Sequence, residues 1–203
     1  MTDTDIHKKP VRFVILGAGR PFRGDQHTAL RGTPDDRRVL EWHLQAVAFL
    51  RPEVHFVGGY QLDAVVHQYP HLHYSVNQEW ESTGAANSLL QAPLDADCEY
   101  YVSYADIVFR QETVQQMGSP TADLVVAIDS KWRQRFSGRT HQDRVRCEKV
   151  CAVEGQVTRL GPDINPDLAD AEFIGLVRFS ATAIRYLKEN AERFSVHLRK
   201  ANL

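Results

Sequence analysis

A glycine-bearing, arginine-rich loop near the start of the chain carries the residue types best suited to chemistry. It follows the apolar and β-branched run Arg12–Leu16 and contains Gly17, Gly19, Arg20 and Arg23. Glycine lets backbone N–H groups come close to anionic oxygens, and arginine adds bidentate, charge-assisted hydrogen bonds. The loop therefore predicts a phosphate-binding site, although a tight turn after a strand would account for the glycines alone.

This loop lacks the spacing of a dinucleotide-binding turn. Such a turn needs a third glycine three residues after Gly19, where Phe22 stands, followed at once by a helix. Pro21 and Gly24 instead favour an open loop. NAD is therefore set aside, and the phosphate groups of another ligand are expected here.

The composition is that of an ordinary globular domain. The chain has 203 residues, of which 43% are hydrophobic and 25% charged, and its formal net charge is -2. This balance gives no polycationic face for nucleic acid and favours a small-molecule substrate. Residues 1–10 lack the apolar core of a signal peptide and no segment is apolar enough to span a bilayer, so we expect no membrane association and a cytoplasmic location. The 3 cysteines are expected to be reduced thiols.

Strand-like and helix-like segments alternate along the chain, which predicts an α/β sheet with helices on both faces. A helix that starts at Asp35 and Asp36 carries apolar residues at three- and four-residue spacing. The expected strands are Arg12–Leu16, Glu53–Val57, His71–Val76, Tyr100–Ser103, Leu124–Ile128 and Phe173–Phe179, and further helices are expected at Leu62–Gln68, Ala85–Leu90 and Ser180 to about Leu198. Tyr100–Ser103 and Leu124–Ile128 are expected to be buried on both faces of a parallel sheet. Lys149–Val153 and Gln156–Leu160 flank Glu154-Gly155 and predict an antiparallel hairpin appended to the sheet.

Asp106 is expected at the same edge of the sheet as the glycine-bearing loop. Ligands of open α/β sheets bind beyond the carboxyl ends of the strands. The loops 17–30, 77–88 and 104–106 follow the first, third and fourth of the predicted strands and meet there. They offer phosphate donors, small residues with amide and hydroxyl groups, and a carboxylate suited to a hard divalent cation. A nucleoside triphosphate bound with Mg²⁺ needs all three, whereas Asp106 alone could equally cap a following helix.

These motifs in this order resemble the small-molecule cytidylyltransferases, such as the phosphocholine and 2-aminoethylphosphonate types, which are relatives of the sugar-phosphate nucleotidyltransferases. The resemblance spans nearly the whole chain. The family's opening Ile-Leu-Ala-Ala-Gly and its arginine are similar to Ile15–Gly19 with Arg23, and its metal aspartate is similar to Asp106. Other stretches that resemble the family are Gly59-Tyr60, Asn77, Trp80, Thr83, Ser88-Leu89, Asp129–Trp132, Arg139, His141, Glu148–Val150 and Glu172–Gly175.

The resemblance implies a mostly parallel, Rossmann-like sheet of the GT-A type and transfer of CMP from CTP to a small phosphonate or phosphorylated alcohol, with release of pyrophosphate. It implies catalytic roles for Arg23 and Asp106, with Asp106 holding Mg²⁺. The implied nucleotide contacts are Leu16, Gly17, Ala18, Gly19, Arg20, Ala85, Ala86, Ser88 and Ala105. The implied acceptor contacts are Asp129, Lys131, Arg139, His141, Glu148 and Glu172, which could equally form a surface ion-pair cluster. A homodimer is compatible with the sequence.

The chain departs from the family pattern at three positions. Thr28 stands where the family has a lysine, Tyr104 replaces the first acid of its Asp-x-Asp motif, and Pro21 replaces the second glycine of the loop. Arg20 and Arg31 are candidates to supply the missing cation. We expect one nucleotidyltransferase domain over residues 1–203. The family's second metal carboxylate follows the last long helix, so the alternatives are a truncated chain, one module of a longer protein, or a degenerate member. The competing functions are a nucleotide-binding or partner-docking module without turnover and a glycosyltransferase.

Overall fold

The computed structural model describes residues 9–138, 140–197 and 201–203, and the predicted strands recur in it. The strands are β1 (Val11–Gly17), β2 (Glu53–Gly58), β3 (His73–Val76), β4 (Glu99–Tyr104), β5 (Leu124–Asp129), β6 (Lys149–Val153), β7 (Gln156–Gly161) and β8 (Ala171–Phe179). The helices are α1 (Val39–Val47), α2 (Leu62–Gln68), α3 (Ala85–Leu89), α4 (Gln111–Met117), α5 (Trp132–Arg135), α6 (His141–Arg146), α7 (Ala181–Glu189) and α8 (Ala191–His197), with single 3₁₀ turns at Thr28–Leu30 and Ala48–Leu50. Among the described residues, no helix combines the length and apolar character needed to cross a bilayer.

The chain divides into two packing units. The first contains the described residues up to Val125 together with those from Val177 onward, and the second runs from Val126 to Leu176. Strands β5 and β8, which pair with each other, each begin in one unit and end in the other. The single domain expected from the sequence stays a prediction.

The first unit contains a parallel sheet with strand order β3-β2-β1-β4. Leu16 is in register with Val57 on one side and with Tyr104 on the other. Alternate residues of β1 are buried on both faces, because α3 and α7 cover the Val14 face while His43 of α1 packs against Phe13. The mostly parallel α/β sheet with helices on both faces is thus confirmed.

The second unit contains the predicted antiparallel hairpin. Strands β6 and β7 pair through the turn at Glu154 and Gly155, both of which have positive φ, and β6 also pairs antiparallel with the start of β8. The small core of this unit is Trp132, Phe136, Ile164 and Ala169. A buried lysine, Lys149, donates to the carbonyls of Arg144, Val145 and Cys147 at the end of α6. The ammonium thereby caps the C-terminal end of the helix, where the Arg144 carbonyl also accepts from the Cys147 thiol at 3.3 Å.

Three expectations about elements were wrong in detail. Helix α1 begins at Val39 rather than at Asp35, because Asp36 has a φ of +63° and the Glu41 carboxylate accepts from the N–H of Arg38, the residue before the helix. The last predicted helix is split at Asn190, whose side chain bonds to the Tyr186 carbonyl and competes with the helical pattern, and Leu198 lies outside the described residues. Strand β5 is not buried on both faces, since Leu124 and Ile128 are exposed.

Candidate functional site

The glycine loop (residues 17–30) starts where β1 passes between two neighbouring strands. A Cβ atom added at Gly17 would lie 2.2 Å from Cζ of Phe56 and 3.1 Å from Cβ of Ala105, so only glycine fits there. The N–H of Ala105 donates to the Leu16 carbonyl at 3.0 Å. These contacts place Ala105, and with it the beginning of the loop that carries Asp106, against the start of the glycine loop. They fit the expected meeting of loops at the carboxyl edge of the parallel strands.

Buried His27 ties the far end of the glycine loop back to its start. Its Nδ1 accepts from the N–H of Ala29 at 3.2 Å, so the proton is on Nε2, which donates to the Gly17 carbonyl at 2.8 Å. The side chain packs beside Phe56, with ring centroids 5.7 Å apart. Burial lowers the pKa of His27, although its bond to Gly17 opposes this shift, so the ring is neutral at pH 7.

Tyr60 holds two further points of the glycine loop. Its N–H donates to the Ala18 carbonyl at 2.9 Å and its hydroxyl donates to the Asp25 carbonyl at 3.1 Å. The preceding residue, Gly59, must be small, because an added Cβ would lie 2.6 Å from the Trp80 ring and 2.8 Å from the Ala18 carbonyl oxygen. The Gly59-Tyr60 motif noted in the sequence therefore buttresses the glycine loop.

The arginines of the loop are arranged differently from one another. Arg20 lies over the Tyr60 ring, with its guanidinium carbon 5.1 Å from the ring centroid, and Arg23 is exposed. No carboxylate among the described residues forms an ion pair with either arginine. Arg31 donates to the Arg23 carbonyl, and its charge also reaches Asp106. The loop thus presents two cations that are not neutralised by an acid of the described chain.

Asp106 lies in the aspartate loop (residues 104–109) that follows β4. The residue is exposed. Partial desolvation raises the pKa of Asp106, while a hydrogen bond to its own backbone and the charge of Arg31 oppose the shift. A partly desolvated carboxylate is stabilised when a cation binds to it.

Buried His43 ties the aspartate loop to α1. Its Nε2 donates to the Ile107 carbonyl at 2.6 Å, and its ring stacks on Phe109 with centroids 5.0 Å apart. A carbonyl can only accept, so the neutral ring carries its proton on Nε2. Burial lowers the pKa of His43 to about 4, with the bond to Ile107 as a weaker opposing effect. His43 was not singled out in the sequence analysis.

The 77–88 loop is stabilised by its own polar side chains. Asn77 is buried and donates to the hydroxyls of Thr83 and Ser88, each at 2.9 Å. Ser88 therefore serves the loop itself, and its contact with a nucleotide stays a prediction. The Ala86 N–H donates to the Ala201 carbonyl at 3.1 Å, and the Tyr104 hydroxyl accepts from the Leu203 N–H at 3.0 Å. The predicted contacts of Ala85 and Ala86 with a base also stay predictions.

The predicted acceptor residues that the structure describes belong to the second unit, and three of them, Asp129, Lys131 and Glu172, take part in one cluster with Arg135. Arg135 pairs with Asp129 at 2.5 Å and with Glu172 at 3.5 Å, and the N–H of Lys131 donates to the Asp129 carboxylate. The sequence did not single out Arg135. His141 opens α6 and Glu148 accepts the Phe173 N–H through its carbonyl. Arg139 lies outside the described residues.

The single carboxylate of Asp106 is suited to a cation that is bound mainly by the phosphates of a substrate. Mg²⁺ is commonly bound by one or two carboxylates together with substrate phosphates rather than by an all-protein cage. The part of the chain that the structure describes contains no cluster of three or more His, Cys, Asp or Glu side chains able to hold a metal by themselves. Asp106, beside a loop that presents Arg20 and Arg23, therefore fits the one-carboxylate arrangement.

No protein-family model matches the chain. A curated CTP:phosphoglutamine cytidylyltransferase of Campylobacter jejuni is 25% identical over 183 residues, which cover 82% of this chain and 72% of that protein. The solved inositol-1-phosphate CTP transferase from T. maritima superposes with a TM-score of 0.70 at 15% identity, covering 96% of this chain and 78% of that one. The CTP:phosphocholine cytidylyltransferase from Streptococcus pneumoniae superposes with a TM-score of 0.59 at 15% identity, covering 92% and 78%. The resemblance to small-molecule cytidylyltransferases and their fold is confirmed.

Proposed function

We propose that this protein is a Mg²⁺-dependent cytidylyltransferase that transfers CMP from CTP to a small phosphorylated or phosphonylated acceptor. The curated relative and two structural neighbours support CTP as the donor and a small phosphorylated compound as the acceptor, since they are named for phosphoglutamine, inositol 1-phosphate and phosphocholine. A phosphonate acceptor is the finer hypothesis. It is chemically equivalent for the reaction, because a phosphonate presents the same kind of anionic oxygen.

The proposed reaction exchanges one phosphoanhydride bond for another. An oxygen of the acceptor's phosphate or phosphonate attacks the α-phosphorus of CTP. The bond between that phosphorus and the oxygen bridging to the β-phosphorus breaks, and pyrophosphate leaves with the electron pair. The nucleophile is already ionised at pH 7, so no general base is required. The main difficulty is the approach of one anion to another, which positioning and cationic groups overcome.

Residues of the first unit would offset the negative charge of the triphosphate and of the acceptor. Backbone N–H groups of Gly17–Gly19 and the guanidinium of Arg23 would bind the triphosphate, and Arg20 is held beside them on Tyr60. Arg31 is the better placed of the two candidates for the missing cation at position 28, because its charge reaches Asp106. Asp106 would hold Mg²⁺, which when bound neutralises charge on the phosphates and favours their alignment.

The observation that carries the proposal is the packing of Ala105 against Gly17. Its 3.1 Å approach to a Cβ built on Gly17 and its N–H bond to Leu16 bring the aspartate loop to the glycine loop. The backbone next to the proposed cation-binding carboxylate therefore lies against the proposed phosphate-binding loop, although the residues in contact are 88 positions apart in the sequence. A phosphate cradle and a carboxylate far from each other would support a different function.

The direct test is CTP-dependent release of pyrophosphate. The acceptor panel would contain phosphocholine, inositol 1-phosphate, phosphoglutamine, 2-aminoethylphosphonate and 2-hydroxyethylphosphonate, each with CTP, UTP, GTP and ATP, in the presence and absence of Mg²⁺. We expect turnover with CTP and at least one of these acceptors, and mass spectrometry should detect the CMP adduct. Absence of pyrophosphate with every acceptor and all four nucleotides would refute the enzymatic proposal for this chain.

A second candidate is a nucleotide-binding or docking module that has lost turnover. It is favoured by two substitutions: Thr28 stands in place of a lysine, and Tyr104 stands in place of an acid. The Tyr104 hydroxyl accepts a hydrogen bond from the N–H of Leu203. Calorimetry separates the two candidates: CTP binding with Mg²⁺ but no pyrophosphate release would support the module.

A further inference from the structure

We infer that two buried histidines, His27 and His43, are positioning residues that hold the glycine loop and the aspartate loop in their working geometry. The inference rests on the proposed function for what that geometry is used for. The holding itself is a property of the free protein and can be tested without turnover. Neither side chain is expected to touch a substrate, since both are buried.

The first argument is the choice of partners. His27 bonds to Gly17 and Ala29, which are two points of the glycine loop's backbone, and His43 bonds to Ile107, the residue after Asp106. Each histidine therefore fixes backbone next to a proposed ligand-binding group.

The second argument is the cost of burying an imidazole. Both rings lie among aromatic neighbours, His27 beside Phe56 and His43 between Phe13 and Phe109. A phenyl ring would fill such a space without desolvating polar nitrogens, and Nδ1 of His43 has no hydrogen-bond partner among the described residues. The directed N–H is what imidazole offers there and phenylalanine does not.

The two histidines should affect different kinetic constants. Loosening the glycine loop weakens ground-state contacts with the triphosphate, so H27F should raise the KM for CTP about tenfold, which is the order expected from losing two ordinary hydrogen bonds. In H43F, loosening of the aspartate loop should raise the Mg²⁺ concentration needed for half-maximal activity. The increase should be only several-fold, because a single hydrogen bond, that to the Ile107 carbonyl, is lost. The conservative variants H27Q and H43Q retain a donor and should recover part of each loss.

His55 provides a matched control. It is also buried, and its Nε2 lies 2.8 Å from the Ser75 hydroxyl, so it joins β2 to β3 rather than fixing a loop of the site. H55F makes the same replacement and is expected to leave both kinetic constants unchanged. Hydrogen exchange of residues 17–30 and 104–109 is measured in all variants, and ¹⁵N spectra of the wild-type imidazoles report the protonated nitrogen.

We expect faster exchange of residues 17–30 in H27F, faster exchange of residues 104–109 in H43F, and neither change in H55F. The wild-type spectra should show neutral rings with Nε2–H at both positions. Unchanged exchange in the two variants, equal changes in H55F, or Nδ1–H rings would overturn the inference. If a phenylalanine variant does not fold, the glutamine variants and wild-type spectra still decide. A wild-type protein without turnover would refute the proposed function but leave the exchange result standing.

Discussion

The glycine loop of the first unit and the Arg135 cluster of the second unit arrange their charged groups differently. In the first, the glycine and aspartate loops are fastened by neutral, buried hydrogen bonds from His27 and His43, and Arg20 and Arg23 are left without a carboxylate partner in the described chain. In the second, the exposed guanidinium of Arg135 pairs with both Asp129 and Glu172. The cations of the first arrangement are not neutralised by a carboxylate of the described chain, whereas the cation of the second arrangement is.

Arg135 already pairs with two carboxylates, so it binds an anion poorly unless those ion pairs rearrange, and exposed pairs contribute little to stability. The phosphate site proposed above relies instead on Arg20 and Arg23, which form no ion pair with a carboxylate of the described chain. Four measurements test this difference between the glycine loop and the Arg135 cluster.

The largest effect is expected at the carboxylate of the first unit. D106N removes the negative charge and keeps the shape, so we expect CTP-dependent pyrophosphate release to fall about a thousandfold, as when a principal charge-stabilising group is lost. The control is D63N, which removes an exposed acid from α2. Rates of D106N within tenfold of wild type would remove Asp106 from the mechanism.

Lowering the pH should reduce the free energy of unfolding, because His43 is buried in its neutral form. The ring's pKa falls from an ordinary 6.5 to about 4 in the folded protein. Between pH 6.5 and about 4, His43 is therefore protonated in the unfolded chain but neutral in the folded protein. The stabilisation is fully present above pH 6.5 and is lost progressively as pH falls towards 4, by about 3 kcal/mol in all. Urea unfolding at several pH values should show this dependence in wild type and its reduction in H43F. Identical pH profiles would show that His43 titrates normally.

How far the sequence predicts this molecule depends on how local each signal is. Strand β1, the hairpin and the loop around Gly17 follow from apolar runs, turn residues and the rule for carboxyl ends of strands. Short polar helices such as α5 carry no clear apolar period. The roles of His27 and His43 depend on carbonyls 10 and 64 residues away, so only tertiary structure reveals them. Arg135 was missed for the same reason, because its partner Glu172 is 37 residues distant.

Arg23 tests whether the unpaired cations of the glycine loop serve a ligand. R23A should raise the KM for CTP about thirtyfold, since a charge-assisted bidentate contact contributes about 2 kcal/mol. The KM of R23K for CTP should lie between those of wild type and R23A, because an ammonium keeps the charge but lacks the paired N–H donors of a guanidinium. R185A, which removes an exposed arginine from α7, is the control. A KM equal to that of wild type in R23A would make Arg23 a solvated loop residue.

The smallest effect is expected at Arg135, and it decides how the second unit is interpreted. The guanidinium is 59% exposed, so solvent and salt screen its pairs with Asp129 and Glu172. R135A should therefore lower the free energy of unfolding by less than about 1 kcal/mol, with the difference shrinking further in high salt. If the three residues form only a surface cluster, the KM for the acceptor will not change. A severalfold change in the KM for the acceptor, with CTP binding intact, would instead show that the cluster binds the acceptor. The ion pairs would then describe the protein before the acceptor binds.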